Sequence, residues 1–189
     1  TGLSRFDSLI NSEKNQILIM PTFRKWLNFV NCFEKTEYFK KWNSLLNNPK
    51  LIEYLENENI ELYFYPHYEI QKHISKFETN SKNIIIADYN NYDIQDLLKS
   101  SKLLITDYSS VFFDFAYMKK PVIYYQFDVN QYREDHYQEG YFSYNENGFG
   151  PICYNEEDVI NNIIENDFSN YKDRRNNFFK YSDKNNSKR

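Results

Sequence analysis

The stretch Leu103-Leu104-Ile105-Thr106-Asp107-Tyr108-Ser109-Ser110-Val111-Phe112-Phe113-Asp114-Phe115 decides the fold. Its first four residues are a compact β-type run followed by polar turn residues, the mark of a strand buried on both faces of a parallel sheet. The turn leads into a helix from Ser110 to Met118, with Ser109 or Ser110 as its cap and Lys119-Lys120-Pro121 as its stop. Similar runs lie on either side, at Ile17 to Met20, Leu62 to Tyr65, Ile84 to Ala87 and Val122 to Tyr125. Thr36 to Asn57 carries apolar residues at Phe39, Trp42, Leu45, Leu46, Ile52 and Leu55, interrupted by Pro49, so it predicts one helix or a broken pair. Ile94 to Ser100 predicts a short helix capped by Asp93, and Glu156 to Glu165 and Phe168 to Phe179 predict two closing helices. Short strands alternating with helices make an α/β fold, a doubly wound parallel sheet flanked by helices.

A chain of 189 residues supplies one domain or slightly more, and buries enough surface to fold without disulfides or a structural metal. Zinc-finger and knottin readings are thereby excluded. Cys32 and Cys153 lie far apart with no CxxC spacing, which fits a reducing compartment and two plain packing residues. The 23 Lys+Arg against 27 Asp+Glu give a net charge of −4, which argues against general DNA binding and leaves room for a local basic pocket. No apolar run approaches the roughly 18 residues that span a bilayer, and no charged-then-apolar leader opens the chain, so a soluble protein without a signal peptide is expected. The 18 Tyr and 16 Phe, with many Asn, Lys and Ile, read as the codon bias of an AT-rich genome, and the aromatics are expected mostly in the core. Thr1-Gly2-Leu3-Ser4-Arg5, with no Met, reads like the middle of a longer protein. Gln126 to Pro151, with Gly140, Gly148 and Gly150, predicts a long loop of the kind that often carries function. The polar tail Ser182 to Arg189 is expected to fray.

In an open α/β sheet ligands bind beyond the carboxyl ends of the strands. The residues to inspect are therefore Pro21-Thr22-Phe23-Arg24, Pro66-His67, Asp88, Asp107-Tyr108-Ser109-Ser110 and Gln126-Phe127-Asp128. An Arg, a His, paired hydroxyls and carboxylates on one rim suit a phosphorylated ligand, although polar residues follow buried strands in any protein. The serines stand at the first turn of a helix, whose free N–H groups favour an anion, and Asp114 lies four residues after Ser110 on the same face. There is no GxGxxG and no Walker motif. No HxH, HExxH or carboxylate cluster suggests a metal, and no cofactor is expected. His73 and His136 have no such setting and read as surface residues.

Thr106-Asp107-Tyr108-Ser109-Ser110 followed by Phe113-Asp114-Phe115, then Lys120-Pro121-Val122-Ile123-Tyr124-Tyr125 and Asp128, closely resembles the nucleotide-binding half of the CDP-glycerol glycerophosphotransferases, the teichoic-acid polymerase family. Further blocks follow the same order: Thr1-Gly2 with Arg5 and Asp7, Pro21-Thr22-Phe23-Arg24, Pro66-His67, Gly140-Tyr141-Phe142, Gly148-Phe149-Gly150-Pro151, and the closing Asp183 to Arg189. The resemblance implies the Rossmann-like C-terminal half of a GT-B type transferase. Residues 1–181 would bind the donor, 182–189 would be a tail, and the acceptor-binding N-terminal domain would be absent from this chain.

By the same resemblance the enzyme transfers glycerol phosphate, or ribitol phosphate, from a CDP-activated donor to a surface polymer and releases CMP. Arg24 and His67 would meet the pyrophosphate, Ser109 and Ser110 its oxygens, and Asp114 the ribose side, with Thr106 and Asp107 in the same donor-binding block. His67 would be the catalytic residue, as a general acid or simply as a donor. An isolated donor domain would transfer nothing. Family members work at the inner face of the cytoplasmic membrane. Lys119-Lys120, Lys172, Arg174 and Arg175 are too scattered to supply that contact, which would fall to the other domain. A nucleotide-sugar donor for capsule synthesis and a non-catalytic interaction module stand as alternatives.

Overall fold

The computed structural model describes residues 4–10, 12–135 and 142–188. Six parallel strands form one sheet: β1 (Gln16–Ile19), β2 (Glu61–Phe64), β3 (Ile84–Ile86), β4 (Leu103–Thr106), β5 (Val122–Tyr125) and β6 (Ile152–Cys153). Their order is β3-β2-β1-β4-β5-β6, so the chain works outward from β1 to one edge and then returns to start at β4 on its other side. Alternate side chains serve opposite layers. Ile17, Ile19, Leu62, Phe64, Ile105 and Tyr125 join a core closed by α1 (Glu37–Leu46), α2 (Pro49–Asn57) and α8 (Glu156–Glu165). Leu18, Leu104, Val122 and Tyr124 face α4 (Ile94–Ser100) and α5 (Phe112–Tyr117). Both faces are thus covered, which is why these strands are continuous apolar runs rather than alternating ones. Among the described residues no helix is long and apolar enough to cross a membrane.

The segment from Thr36 to Asn57 is a broken pair. Asn47 ends α1, and Asn48 Oδ1 accepts the N–H groups of Lys50 and Leu51 to cap α2, whose first residue is Pro49. Asp93 caps α4, accepting from the N–H groups of Gln95 and Asp96. Helix α5 begins two residues later than its sequence predicts. Ser109 and Ser110 accept N–H bonds from Phe112 and Phe113 in a tight three-residue turn, and the regular helix starts only beyond it. It ends on Lys119, whose φ of 63° lies in the left-handed region.

Several expectations are corrected. The expected loop from Gln126 to Pro151 contains two helices, α6 (Val129–Asp135) and α7 (Tyr144–Asn147); Gly140, Tyr141 and His136 lie outside the described residues. Strand β6 is only two residues long, too short to register as an apolar run. Phe168 to Phe179 forms a 3₁₀ turn and the short helix α9 (Lys172–Asn177). His73 is half-buried, stacked on Phe33 at 4.3 Å and 7°. The tail does not fray at residues 186–187: Asp7 accepts the N–H groups of Asn186 and Ser187 and the Nδ2 of Asn186, which is buried. Burial is the largest single influence and pushes the Asp7 carboxyl up, but the bonds from Ser187 and Asn186 together outweigh it and hold the carboxyl well below the usual range.

Lys120 is not a surface cation either. It is 2% exposed, and its Nζ donates to the carbonyls of Leu98, Lys99 and Ser101, closing the carboxyl end of α4. Burial pushes its ammonium down to about 8. An unfolded lysine keeps its proton to about 10.4. Between these values folding releases a proton, so stability rises with pH across that window. We expect the urea midpoint of the native protein to gain more between pH 8 and pH 10 than that of Lys120→Met; parallel gains would contradict the assignment.

Candidate functional site

The topological switch lies between β1 and β4, and a doubly wound sheet opens a crevice there at the carboxyl ends of the strands. Hydrogen bonds stitch this rim together. Thr106 Oγ1 donates to the Met20 carbonyl at 2.7 Å, and Asp107 Oδ1 accepts the N–H groups of Thr22 at 2.8 Å and Tyr108 at 2.6 Å. On the other side of β1, the N–H of His67 reaches the Pro21 carbonyl at 3.2 Å. The ends of β2, β1 and β4 are therefore held in fixed relation. Thr106 and Asp107 act beneath the rim, both fully buried, rather than on it.

Arg24, expected at a ligand's pyrophosphate, is enclosed instead. It has no exposed surface and pairs with Asp107 at 2.9 Å and, through two N–H groups, with Asp128 at 2.7 and 3.0 Å. Its guanidinium lies 4.9 Å from the ring centres of Tyr108 and Tyr132 and 5.4 Å from that of Tyr38. Burial alone would push its proton off, but the two carboxylates outweigh that and hold it above the ordinary arginine value. A guanidinium with this many fixed partners organises the rim from within. Its place at the end of β1 is legible in the sequence, and its inward direction is not.

Ser109, Ser110 and Asp114 do come together, lining one cavity of about 210 Å³ with Arg5 and Gln95. Ser110 is exposed and Ser109 half-buried, so both hydroxyls are within reach of a ligand. Asp114 is 3% exposed and holds Arg5 by two bonds, Nε at 3.0 Å and Nη2 at 2.9 Å. Burial pushes the Asp114 carboxyl up, against the opposing pull of Arg5. The Arg5 side chain remains 46% exposed, so it is the arginine presented at this cavity. Gln95 Oε1 is buried with no hydrogen-bond partner among the described residues and stands ready as an acceptor. Sequence reasoning assigned neither Arg5 nor Gln95 a role; the only signal for Gln95 was its place just after the Asp93 cap.

His67 stands apart from this cavity, on the neighbouring strand end beyond Pro21. It is exposed, stacks on Phe23 at 5.9 Å, and its Nδ1 accepts the N–H of Glu69 at 3.2 Å, starting the four-residue helix α3 (Tyr68–Gln71). An Nδ1 used as an acceptor places the ring proton on Nε2, which is left as an outward donor. Among the described residues there is no group of three or more His, Cys, Asp or Glu arranged to hold a metal ion.

An all-parallel sheet in this order, with a serine-bearing cavity at its crossover, is a Rossmann-like α/β domain of the kind found in the GT-B type fold. The chain belongs to the CDP-glycerol:poly(glycerophosphate) glycerophosphotransferase family, whose model matches residues 7–189. It is 39% identical, over its whole length, to the minor teichoic acid biosynthesis protein GgaB of Bacillus subtilis (strain 168), covering 22% of that protein. It is 36% identical over 86% of its length to a teichoic acid poly(glycerol phosphate) polymerase of Bacillus spizizenii, covering 38% of it. Among solved structures it resembles the wall teichoic acid polymerase TagF, with a TM-score of 0.66 and 25% identity, across 98% of this chain and 43% of that one. A putative UDP-N-acetylglucosamine 2-epimerase from Listeria monocytogenes shares the fold alone, at a TM-score of 0.52. The chain thus spans well under half the length of these relatives.

Proposed function

We propose that this chain is the donor-binding domain of a transferase that moves glycerol phosphate, or ribitol phosphate, from a CDP-activated donor to a teichoic-acid-like surface polymer. The observation that carries this reading is the coincidence of family membership over residues 7–189 with a polar cavity at the sheet's crossover. In the reaction an acceptor hydroxyl attacks the phosphorus that carries the polyol, the bond from that phosphorus to the bridging oxygen breaks, and CMP leaves with the negative charge. Donors placed at the leaving phosphate stabilise that charge. Ser109, Ser110 and the outer face of Arg5 fill this role, with Asp114 as the positioning residue that fixes Arg5. His67 Nε2–H donates to the same pyrophosphate as a fixed hydrogen-bond donor, because an imidazole whose Nδ1 accepts a hydrogen bond has no second proton to give as an acid. Gln95 accepts from a hydroxyl or amine of the nucleoside. The site of the acceptor's reacting hydroxyl and the base that takes its proton belong to chain outside the donor-binding residues 1–181, as does any contact with the membrane face.

Titration calorimetry with CDP-glycerol, CDP-ribitol, CMP and a UDP-sugar tests this reading. Cytidine ligands are expected to bind selectively, and His67→Ala and Ser110→Ala each to weaken them about tenfold or more, the worth of a hydrogen bond to a charged group. Selective binding of the UDP-sugar would replace the donor class. Unchanged cytidine binding in both variants would remove the site.

A further inference from the structure

At the opposite end of the sheet, beside the amino ends of β1, β4 and β5, lies an open cavity of about 640 Å³. Five cations line it: Lys102, Lys119, Lys120, Lys172 and Arg175. Its two carboxylates are Glu13 and Asp167, and the latter accepts the N–H of Ser169. None of the five cations forms an ion pair with a described carboxylate.

Two of these cations are buried, which is the unusual feature. Lys120 is 2% and Arg175 8% exposed, and each has only backbone carbonyls as hydrogen-bond partners among the described residues. Arg175 donates one N–H to Phe149 O at 3.0 Å and one to Phe168 O at 3.2 Å, and a guanidinium has five. Buried charge is ordinarily paired with opposite charge. Glu13 acts on Lys120 through space without a salt bridge, and the positive charge that remains is left to whatever enters the cavity. In a protein whose net charge is −4 this local excess of positive charge is not a general surface property.

We propose that this cavity is a second anion site, which holds a phosphodiester of a polyol-phosphate polymer away from the donor site. The proposal rests on the polymer chemistry proposed above, and it adds a place where the product is gripped. The volume exceeds what one phosphate needs and admits a phosphodiester with its flanking polyols. Arg175 offers donors at the base, Lys120 contributes charge there, and Lys102, Lys119 and Lys172 close on the phosphates from the rim. The cavity favours a polymer over a bilayer because its deepest charges lie below the surface. In addition, none of the large exposed apolar side chains of the described residues lines it. Strands of four residues separate the two sites by more than about 10 Å, so a chain held here leaves the donor site free.

The test measures binding of a fluorescent synthetic glycerol phosphate oligomer to the protein and to Lys102→Glu/Lys172→Glu, which alters two rim residues and leaves the buried pair intact. The oligomer is expected to bind the parent and to weaken about tenfold or more in the variant, with a steep dependence on salt. CDP-glycerol binding is expected to stay unchanged, and the thermal midpoint to fall only by the loss of the Lys102 Nζ bond to Asn15 Oδ1. Lys172→Glu alone, at an exposed position, serves if the double variant does not fold. Oligomer binding that is absent, or unaffected by the rim charges, overturns the proposal. Full displacement by equimolar inorganic phosphate, or rim-dependent binding to phosphatidylglycerol vesicles without binding to the oligomer, overturns the polymer assignment. If CDP-glycerol fails to bind while the oligomer does, the donor reading falls and this site stands.

Discussion

Arg24→Met is expected to remove about 3–5 kcal/mol of stability, the usual cost of breaking a buried ion pair from one side. Methionine fills much of the same space among Tyr38, Tyr108 and Tyr132, so the loss is not chiefly one of volume. What it leaves behind is two buried carboxylates, Asp107 and Asp128, with the cation between them gone. For a domain whose whole stability lies in the range of about 5–15 kcal/mol, that is a large fraction. Arg24→Lys keeps the charge but not the forked geometry, and is expected to fall in between. Urea unfolding of the three proteins at pH 7 measures this, and a Met variant within about 1 kcal/mol of the parent would show the triad to be dispensable.

Gly150→Ala is expected to be nearly as damaging, for a reason of space alone. A Cβ at this position would stand 1.6 Å from the Val122 carbonyl oxygen and 2.6 Å from its carbon, both backbone atoms of β5. The backbone dihedral is not the obstacle, since no described glycine has a positive φ. The obstacle is that the chain entering β6 runs directly against its neighbour, where Tyr124 N–H bonds the Pro151 carbonyl at 2.9 Å. To admit a methyl group the two-residue strand must leave the sheet, which also unseats the fully buried Phe149 and the Arg175 bond to its carbonyl. A loss of about 3 kcal/mol or more follows, or roughly 6–12 °C in thermal midpoint for a domain of this size. A shift below about 2 °C would mean that the edge strand yields easily.

What the sequence disclosed depended on how local each cause was. Strands β1 to β5 were legible because burial on both faces leaves an uninterrupted apolar run. The break at Asn47-Asn48-Pro49 and the Asp93 cap were legible because capping is decided within three residues. Strand β6 escaped because two residues carry no period, and α6 because its one deeply buried residue is Tyr132. At the rim, the motif around Ser109, Ser110 and Asp114 located the cavity. The inward turn of Arg24 and the arrival of Arg5 depend on partners 104 and 109 residues distant, which no local pattern announces. The same applies to Lys120, which reads as half of an exposed Lys-Lys pair and is a buried plug under α4.

The bond between Asp7 and Asn186 spans 179 residues. Closing so wide a loop is entropically unrewarded until the sheet and helices between them are already assembled. The meeting of the first described 3₁₀ turn with the last is therefore expected late in assembly and early in a partial opening, which hydrogen exchange at the N–H groups of residues 186 and 187 would read. Its role is to fasten the two ends of the described chain to each other. Its single carboxylate stays charged well into acid, so the fastening outlasts mild acidification and yields instead to anything that competes for the backbone N–H groups of residues 186 and 187.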